Sequence, residues 1–482
     1  MKSLKSRLLM ALALVAIVLT SCSKDSNVLS RIPADADLVM KVDMVKVYEN
    51  AGCAVDGGRV TLSDQLLKLI WGNPGDAQAR FASELFASGS VDLNHVFMVV
   101  SFKGGDPVLM AAVNDRTALE KCLVGGGMSA VDAQGWSCWS TGEEYGLVLL
   151  VADDVVVMTD GEDAADAVAI VNKTLDGASK KSIADSDWKS NLLMASNTVD
   201  MVVKFDNVPQ FAHLKSYGNA VVTFDLDGAK ASATTEFRDD NGKLVDRSNG
   251  VEKFMADIDT SMLKYLNSND MVVTAFGVKS DFPWQQAGQE MEKAQPGSSQ
   301  IFALIISYLK SLNGTTMIGF GPKQGAGSFM ASGISDFTAY WDVVLATQLT
   351  AGSAEKYITQ IEAFVKMQGD GAGVTAERMA DNTLKIMLDG VAIYASTDGN
   401  TLLVKTSPEA TGSPTVDAAM LKGHSNILAA RIPAESALAT DLSLTFGTEL
   451  SMWSEKAVGH LELQLTGTDQ PLLKTLLDQF GR

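Results

Sequence analysis

The sequence is poor in the residues that most often bind metals. It has four histidines and four cysteines among 482 residues. The histidines stand singly, at His95, His213, His424 and His460, and no Cys-x-x-Cys pair is present. A structural zinc site needs four such ligands, usually in closely spaced pairs. We therefore predict no metal site and structural roles for the histidines.

Motifs of common enzymes and cofactor sites are also missing. No Gly-x-Ser-x-Gly nucleophile elbow occurs. Gly319-Phe320-Gly321 and Gly325-Ala326-Gly327 have the glycine content of a phosphate loop, but they lack a following Gly-Lys-Ser/Thr and the spacing of a dinucleotide loop. We predict flexible turns at both places and no cofactor.

Positive charge is in deficit. The chain has 39 Lys and Arg against 58 Asp and Glu, a formal net charge of -19. Phosphate backbones are bound mainly by clustered Lys and Arg. The sequence therefore predicts no nucleic-acid partner, and solubility is the simplest use of the acidity.

The first residues have the pattern of an export signal. Lys2, Lys5 and Arg7 precede an apolar run from Leu8 to Leu19. This run suits the hydrophobic region of a signal peptide and is shorter than the ~20 residues of a membrane-spanning helix. Removal of residues 1–21, which carry three positive and no negative charges, would leave a net charge of -22.

The run ends in Leu19-Thr20-Ser21-Cys22, which resembles the lipobox of bacterial lipoproteins. The resemblance implies cleavage before Cys22, diacylglycerol on its thiol and a membrane as partner. Residues 22–30 then form a polar tether. Ser23, not Asp, follows the cysteine, so the inner-membrane retention signal is missing and the resemblance implies outer-membrane residence. Surface-exposed lipoproteins of Bacteroidota carry a short acidic tag just after the cysteine, and this tether has a single acid there, Asp25. The sequence therefore does not decide between the cell surface and the periplasmic face of the membrane.

The other cysteines are Cys53, Cys122 and Cys138. Three thiols in an oxidising compartment allow at most one internal bridge. Cys122 and Cys138 are the closest pair in sequence and form the candidate disulfide. The alternative is that all three are buried as small apolar residues.

Acidic and aromatic candidates each have a structural alternative. Glu143-Glu144 and Asp153-Asp154 could supply paired carboxylates for glycoside cleavage, but acids at strand ends are usually turn residues. Asp225-Leu226-Asp227-Gly228 resembles half of a calcium loop without its closing Glu, so we predict a hairpin, as for Asp239-Asp240-Asn241-Gly242. Trp136 and Trp139 should point to opposite faces of one strand.

Two halves of the chain repeat the same order of elements. A strand after Asp35-Ala36-Asp37 matches one after Asn269-Asp270, and strands at Trp136 to Ser140 and Thr383 to Leu388 correspond. We predict an α+β class with two tandem domains, 31–266 and 267–482, and our hypothesis is that they arose by duplication. Each would be a mostly antiparallel sheet with helices packed on one face.

The opening phrase Arg31-Ile32-Pro33-Ala34-Asp35-Ala36-Asp37, together with the lipobox, resembles an uncharacterised family of Bacteroidota outer-membrane lipoproteins. The resemblance implies localisation and architecture and no activity. We therefore expect a lipid-anchored envelope protein, more a non-enzymatic binder of an envelope protein or extracellular ligand than an enzyme. The alternative is a surface hydrolase acting on glycan or peptide through scattered acids.

Overall fold

The protein divides into two compact units. One comprises Met1–Val245 with Thr468–Arg482, and the other is Asp246–Gly467. The computed structural model describes residues 28–480 apart from 103–105, 141–146, 162, 177, 179, 206–217, 247–249, 268, 285–306, 324–339, 369–373, 389 and 408–413.

The first unit contains twelve strands within its described residues. They are β1 Leu38–Val42, β2 Ala54–Asp56, β3 Arg59–Thr61, β4 Val96–Val100, β5 Val108–Ala112, β6 Ser129–Ala133, β7 Trp136–Ser140, β8 Leu147–Val151, β9 Val155–Asp160, β10 Val199–Lys204, β11 Asn219–Asp227 and β12 Lys230–Arg238. Its α-helices are α1 Met44–Asn50, α2 Asp64–Trp71, α3 Ala77–Ser88, α4 Arg116–Gly125, α5 Ala164–Thr174, α6 Asp187–Leu193 and α10 Leu472–Phe480, with a 3-10 turn at Ile183–Asp185.

The second unit contains ten strands within its described residues. They are β13 Val272–Val278, β14 Leu312–Pro322, β15 Trp341–Leu349, β16 Val374–Arg378, β17 Leu384–Leu388, β18 Val391–Asp398, β19 Thr401–Lys405, β20 Asn426–Ile432, β21 Gly447–Glu455 and β22 Val458–Thr466. Its helices are α7 Ser353–Gln368, α8 Ala418–Leu421 and α9 Ala437–Asp441, with 3-10 segments at Val251–Phe254 and Thr260–Tyr265.

Strand pairing follows the same order in both units. In the first, the order is β12-β11-β10-β1-β4-β5-β9-β8-β7-β6. In the second, it is β22-β21-β20-β13-β14-β15-β19-β18-β17-β16. All of these pairings are antiparallel, while β2 and β3 form a separate hairpin. The predicted α+β class with mostly antiparallel sheet is confirmed.

Local sequence explains where the helices begin. Asp43, Ser63 and Asp115 precede α1, α2 and α4, and each side chain accepts a backbone N–H from the first turn. Such caps satisfy donors that have no partner inside the helix.

The first unit's sheet is covered on both faces. Along β8, Leu149 and Val151 belong to a core cluster that includes residues of α1 to α4. Val148 and Leu150 point the other way, into a cluster with α5 and the N-terminal residues Val28 and Leu29. The prediction of helices on one face is therefore not confirmed. Neighbouring strand residues point to opposite faces, and both sets are buried here.

The compact units differ from the predicted domains at two places. The division lies at Asp246 and not at 267, and residues 468–482 join the first unit. The physical reason for the second difference is packing, because Leu477 of α10 contacts the core cluster around α1 and α2. In the described part of the chain, no helix combines the length and apolar composition that crossing a bilayer requires.

Candidate functional site

Helix α1 supplies the first side of an apolar cavity in the first unit. Val47, Tyr48 and Ala51 line it. Residues 47 and 51 are four apart, so they share one helical face. Tyr48 is buried, and its ring meets the edge of Phe86 at 5.2 Å between centroids. Desolvation raises the pKa of Tyr48 well above its ordinary value, which keeps this phenol neutral.

Helix α2 supplies the second side. Leu66 and Leu69 line the cavity, one turn apart on the same face of the helix. Leu66 is buried, whereas Leu69 is 52% exposed. The helix ends at Gly72, which adopts a positive φ of 79° that few other residues tolerate. Because Leu69 is exposed, the cavity opens toward solvent at this residue.

The C-terminal helix α10 supplies the third side. Its lining residues are Leu473, Leu476, Leu477 and Phe480. Their spacing places them on a single helical stripe. Phe480 is 64% exposed, so the stripe is only partly covered by α1 and α2.

Polar contacts fix α10 at two points. The buried Asn50 accepts a hydrogen bond from Leu473 N at 2.8 Å and donates one to Gly228 O at 2.9 Å. The N–H of Leu472 also donates to Gly228 O, at 2.8 Å. Further along, Gln65 donates to Leu477 O at 2.8 Å. The beginning of α10 is thus held by two hydrogen bonds, from Leu472 N and Leu473 N, and its middle by one.

The cavity between these helices has a volume of about 300 Å³. Its lining consists of five leucines, one valine, one alanine and two aromatic residues, and no charged side chain of the described residues lines it. Binding pockets typically have 300–1,000 Å³ and mostly apolar walls. An uncharged apolar cavity lacks groups for acid-base chemistry, so it is suited to binding.

A polar groove lies beside α1 in the same unit, lined by Lys46, Asn50, Asp225 and Asp227 among others. Asp225 pairs with Lys46 at 3.0 Å and accepts a hydrogen bond from the Thr198 hydroxyl at 2.9 Å. Burial raises the pKa of Asp225, but the bonds from Lys46 and Thr198 outweigh it and the net shift is downward. Asp225 is therefore occupied by protein partners. The predicted hairpin over Asp225-Leu226-Asp227-Gly228 is confirmed, since Asp227 pairs with Lys230.

The second unit has an acidic groove of about 370 Å³, lined among others by Asp417, Glu449, Glu462, Trp453 and His424. Part of the lining alternates along β21 and β22, where Trp453 lies opposite His460 and Ser451 opposite Glu462. Asp417 and His424 flank α8 instead. These are the convergent acids that the hydrolase alternative requires. None of them was predicted as a site residue.

Two of these carboxylates are engaged by one cation. Arg431 pairs with Asp417 at 3.1 Å and with Glu449 at 3.0 Å. Asp417 also caps α8 by accepting the N–H of Ala419 and Met420. These contacts give Asp417 and Glu449 structural roles.

Two histidines flank the tryptophan of the acidic groove. His460 stacks on Trp453 with ring centroids 4.9 Å apart and planes at 11°. His424 lies 4.9 Å from the same ring at 52°. Burial lowers the pKa of His424, so its neutral form is favoured. His460 occupies one face of Trp453, which reduces the surface available for stacking on a ligand.

Other predicted candidates serve as turns or packing residues. Asp153 and Asp154 lie between β8 and β9, paired with Arg116 and Arg31, each at 2.6 Å. In the predicted turn at 239–242, Asp239 accepts the N–H of Asn241 at 2.9 Å. These contacts support the structural alternatives.

Packing also explains two glycines and two tryptophans that the sequence singled out as candidates. A Cβ at Gly319 would lie 2.4 Å from Asp270 Oδ2, and one at Gly321 would lie 2.1 Å from Asn269 O. The flexible turn predicted at Gly319-Phe320-Gly321 is therefore wrong, because these residues lie in β14, where the glycines permit close packing against Asn269 and Asp270. Trp136 and Trp139 pack against clusters on opposite faces of the first unit's sheet, as expected.

The candidate disulfide is corrected. Cys53, Cys122 and Cys138 are free thiols. Cys122 packs against the cluster of α1 to α4, and Cys138 belongs to the cluster on the opposite face of the sheet. Burial raises the pKa of all three thiols, which disfavours the reactive thiolate.

Several sequence predictions lie outside the described residues. These are the signal peptide 1–21, the lipidation site Cys22 with most of its tether, His213, Glu143-Glu144 and Gly325-Ala326-Gly327. The fourth histidine, His95, has a structural partner, because its Nδ1 lies 3.1 Å from Asp92 Oδ2.

Comparison with known proteins gives no family assignment. No protein-family model matches the chain, and no curated protein matches it. Three crystal forms of TP0453 are among the similar solved structures. Form III has 9% identity, a TM-score of 0.25 and coverage of 46% of this chain and 99% of that chain. Form IV has 10% identity and a TM-score of 0.26, and the match covers 45% of this chain and 83% of that chain. Form I has 9% identity and a TM-score of 0.27, and the match covers 44% of this chain and 78% of that chain. Likeness at this level carries no argument about function.

Proposed function

We propose that the protein is a lipid-anchored envelope lipoprotein that binds an apolar ligand without chemically transforming it. The apolar cavity between α1, α2 and α10 is the observation that carries this proposal. It combines a ligand-sized volume with uncharged walls. This proposal narrows the sequence prediction, which left the bound partner as an envelope protein or an extracellular ligand, to an apolar ligand.

The anchoring part of the proposal rests on the sequence. Cys22 follows a short apolar run and the small residues Thr20 and Ser21. Acylation there would hold the body at a membrane, and the residue after Cys22 favours the outer membrane. The resemblance to Bacteroidota lipoproteins supports the same localisation.

We also propose that the two units arose by duplication. The identical order of strand pairing supports this. Asp37 and Asp270 support it too, since each is buried just before the first strand of its unit and accepts a backbone N–H at 2.7 Å. Experimental structures in which the paired strands of the two units fail to superpose would contradict a common origin.

The hydrolase alternative receives less support. Its best location is the acidic groove, where Arg431 already engages Asp417 and Glu449. A general acid or base must be able to reach the substrate's proton. Both carboxylates instead pair with Arg431 of the same unit.

The test of ligand binding is to fill the cavity. Ala51→Phe adds a ring to a cavity-lining position, with space to receive it. We expect calorimetric titration of the purified wild type to detect decanoate or adamantane-1-carboxylate, both used below micelle-forming concentrations. Ala51→Phe should weaken that binding at least tenfold.

The matched control is Ala87→Phe, which adds the same ring to an exposed position of α3 outside the cavity. It should bind as the wild type does. Unchanged thermal unfolding would establish that both variants are folded. If neither compound binds the wild type, or if Ala51→Phe binds normally, the apolar cavity is not the ligand site.

A further inference from the structure

We infer that the apolar cavity takes a single linear aliphatic chain, inserted with its methyl end toward Asn50 and its polar end in solvent. This inference rests on the proposed function. It adds the ligand's chemical class and its direction of insertion.

The shape of the cavity selects a linear chain over a ring system. Lining residues on α10 extend from Leu473 to Phe480, which corresponds to ~10 Å at the rise of an α-helix. A volume of about 300 Å³ over that length leaves a mean width of roughly 6 Å. An extended hydrocarbon chain fits such a channel, whereas a compact cage or fused ring system is wider.

The chemistry of the walls selects a hydrocarbon. Polar groups buried without hydrogen-bond partners are costly. Apart from the Tyr48 hydroxyl, the lining side chains offer no such partners, since they are leucines of α2 and α10 with Val47, Ala51 and Phe480. The inserted part of the ligand must therefore lack polar atoms, and any polar end group must remain outside.

The two ends of the cavity differ. At one end the cavity is lined by Ala51 and Leu473. The buried Asn50, next to Ala51 in the chain, binds Leu473 N and Gly228 O and so joins α1, α10 and the β11–β12 hairpin there. At the other end Leu69 and Phe480 are more than half exposed. The chain therefore enters beside Leu69 and Phe480, and its methyl end stops near Ala51.

The ligand is a separate molecule and not the lipid proposed on Cys22. The first described residues, Val28 and Leu29, lie within the predicted tether and pack on one face of the first unit's sheet. The helices that form the cavity belong to the cluster on the other face. A chain supplied from outside avoids passing the tether around the sheet.

Affinity should follow chain length up to a limit. Allowing ~30 Å³ for each methylene, the volume of a water molecule in the liquid, the cavity holds about ten. Below that length, each added methylene should tighten binding about fourfold, the equivalent of ~0.8 kcal/mol. Longer chains should gain little, because the added carbons remain in water.

The experiment is a calorimetric series of saturated fatty acids from hexanoate to tetradecanoate, with adamantane-1-carboxylate for comparison. It uses the chain from Ser23 onward, so only residues outside the described structure are removed. We expect decanoate to bind at least tenfold more tightly than adamantane-1-carboxylate. The rise with length should level off near ten methylenes.

Ala51→Leu tests the direction of insertion, because it adds three carbons near the closed end. It should move the limit to chains about three methylenes shorter. Leu69→Ala, at the open end, should leave the limit in place. A limit that moves in Leu69→Ala and not in Ala51→Leu would reverse the direction and overturn the inference.

The outcomes separate the two proposals. Equal binding of decanoate and adamantane-1-carboxylate, blocked by Ala51→Phe, would overturn the linear chain and leave the apolar binding site standing. Absence of binding by every compound would overturn both.

Discussion

Asp270 shows how a single buried carboxyl can make stability depend on pH. It is fully buried before β13. Burial raises its pKa to about 7, and the charge of Asp342 adds to the effect, while the N–H of Asn267 and the charge of Lys405 oppose it. The folded protein therefore keeps a proton on Asp270 at pH values where the unfolded chain has lost it.

This shift fixes the sign of a prediction. Between pH 4 and 7 the folded state binds more protons than the unfolded state, so the free energy of unfolding should fall as pH rises. The fall can reach ~1.4 kcal/mol for each pKa unit. Asp270→Asn keeps an acceptor for Asn267 N and removes the ionisation. We expect it to be more stable than the wild type at pH 8, with the advantage shrinking toward pH 4.

Urea unfolding at pH 4, 6 and 8 measures the difference. Asp257→Asn is the matched control, since it makes the same change at an exposed position of the same unit. Parallel stability curves for the wild type and Asp270→Asn would show that Asp270 does not govern this window.

At the scale of elements, the sequence predicts strands well and their surroundings poorly. The apolar runs Leu147–Val151 and Val155–Met158 in the sequence predict two strands, and the structure has them as β8 and β9. Their nearly continuous apolar character was also the signal that both faces are covered. Helices on one face were predicted from the abundance of antiparallel strands alone, without regard to these continuous apolar runs.

The apolar cavity could not be predicted in the same way. Its walls come from α1 and α2, which are close in sequence, and from α10, which most of the chain separates from them. Each helix has an apolar stripe, and such a stripe is equally typical of core packing. Only the fold brings the stripes together and leaves them incompletely filled.

Helix α10 carries a prediction at this scale, because Asn50 fixes its beginning. Asn50→Ala removes hydrogen bonds to Leu473 N and Gly228 O and leaves both groups without that partner. We expect a loss of ~2–3 kcal/mol in the free energy of unfolding. Amide hydrogen exchange in 472–480 should become faster, and fatty-acid binding weaker.

Gln65→Ala is the comparison, since it removes one hydrogen bond to the middle of α10 and should cost only ~1 kcal/mol. Urea unfolding and hydrogen exchange followed by mass spectrometry measure both effects. Exchange in α10 that is unchanged in Asn50→Ala would mean that apolar packing alone holds this helix.

At the scale of the whole molecule, the net charge opposes the membrane anchoring that we propose. Without residues 1–21 the chain carries a formal net charge of -22, and anionic headgroups would repel such a surface. The proposed membrane attachment would then come from acyl chains, each buried methylene of which contributes ~0.8 kcal/mol. Attachment should therefore depend on one atom, the Cys22 thiol sulfur.

Cys22→Ser removes that atom and leaves the described fold untouched. In the native host we expect the wild type to incorporate radiolabelled palmitate and to sediment with membranes, even in high salt. The variant should incorporate none.

Because an uncleaved leader could itself hold the variant at a membrane, a secreted form is also needed, in which the leader of a secreted protein is joined to Ser23. The secreted form should be recovered in the soluble fraction with wild-type fatty-acid affinity. Membrane association of the secreted form at wild-type levels would show that the folded body binds the membrane by itself, and anchoring through Cys22 would be rejected.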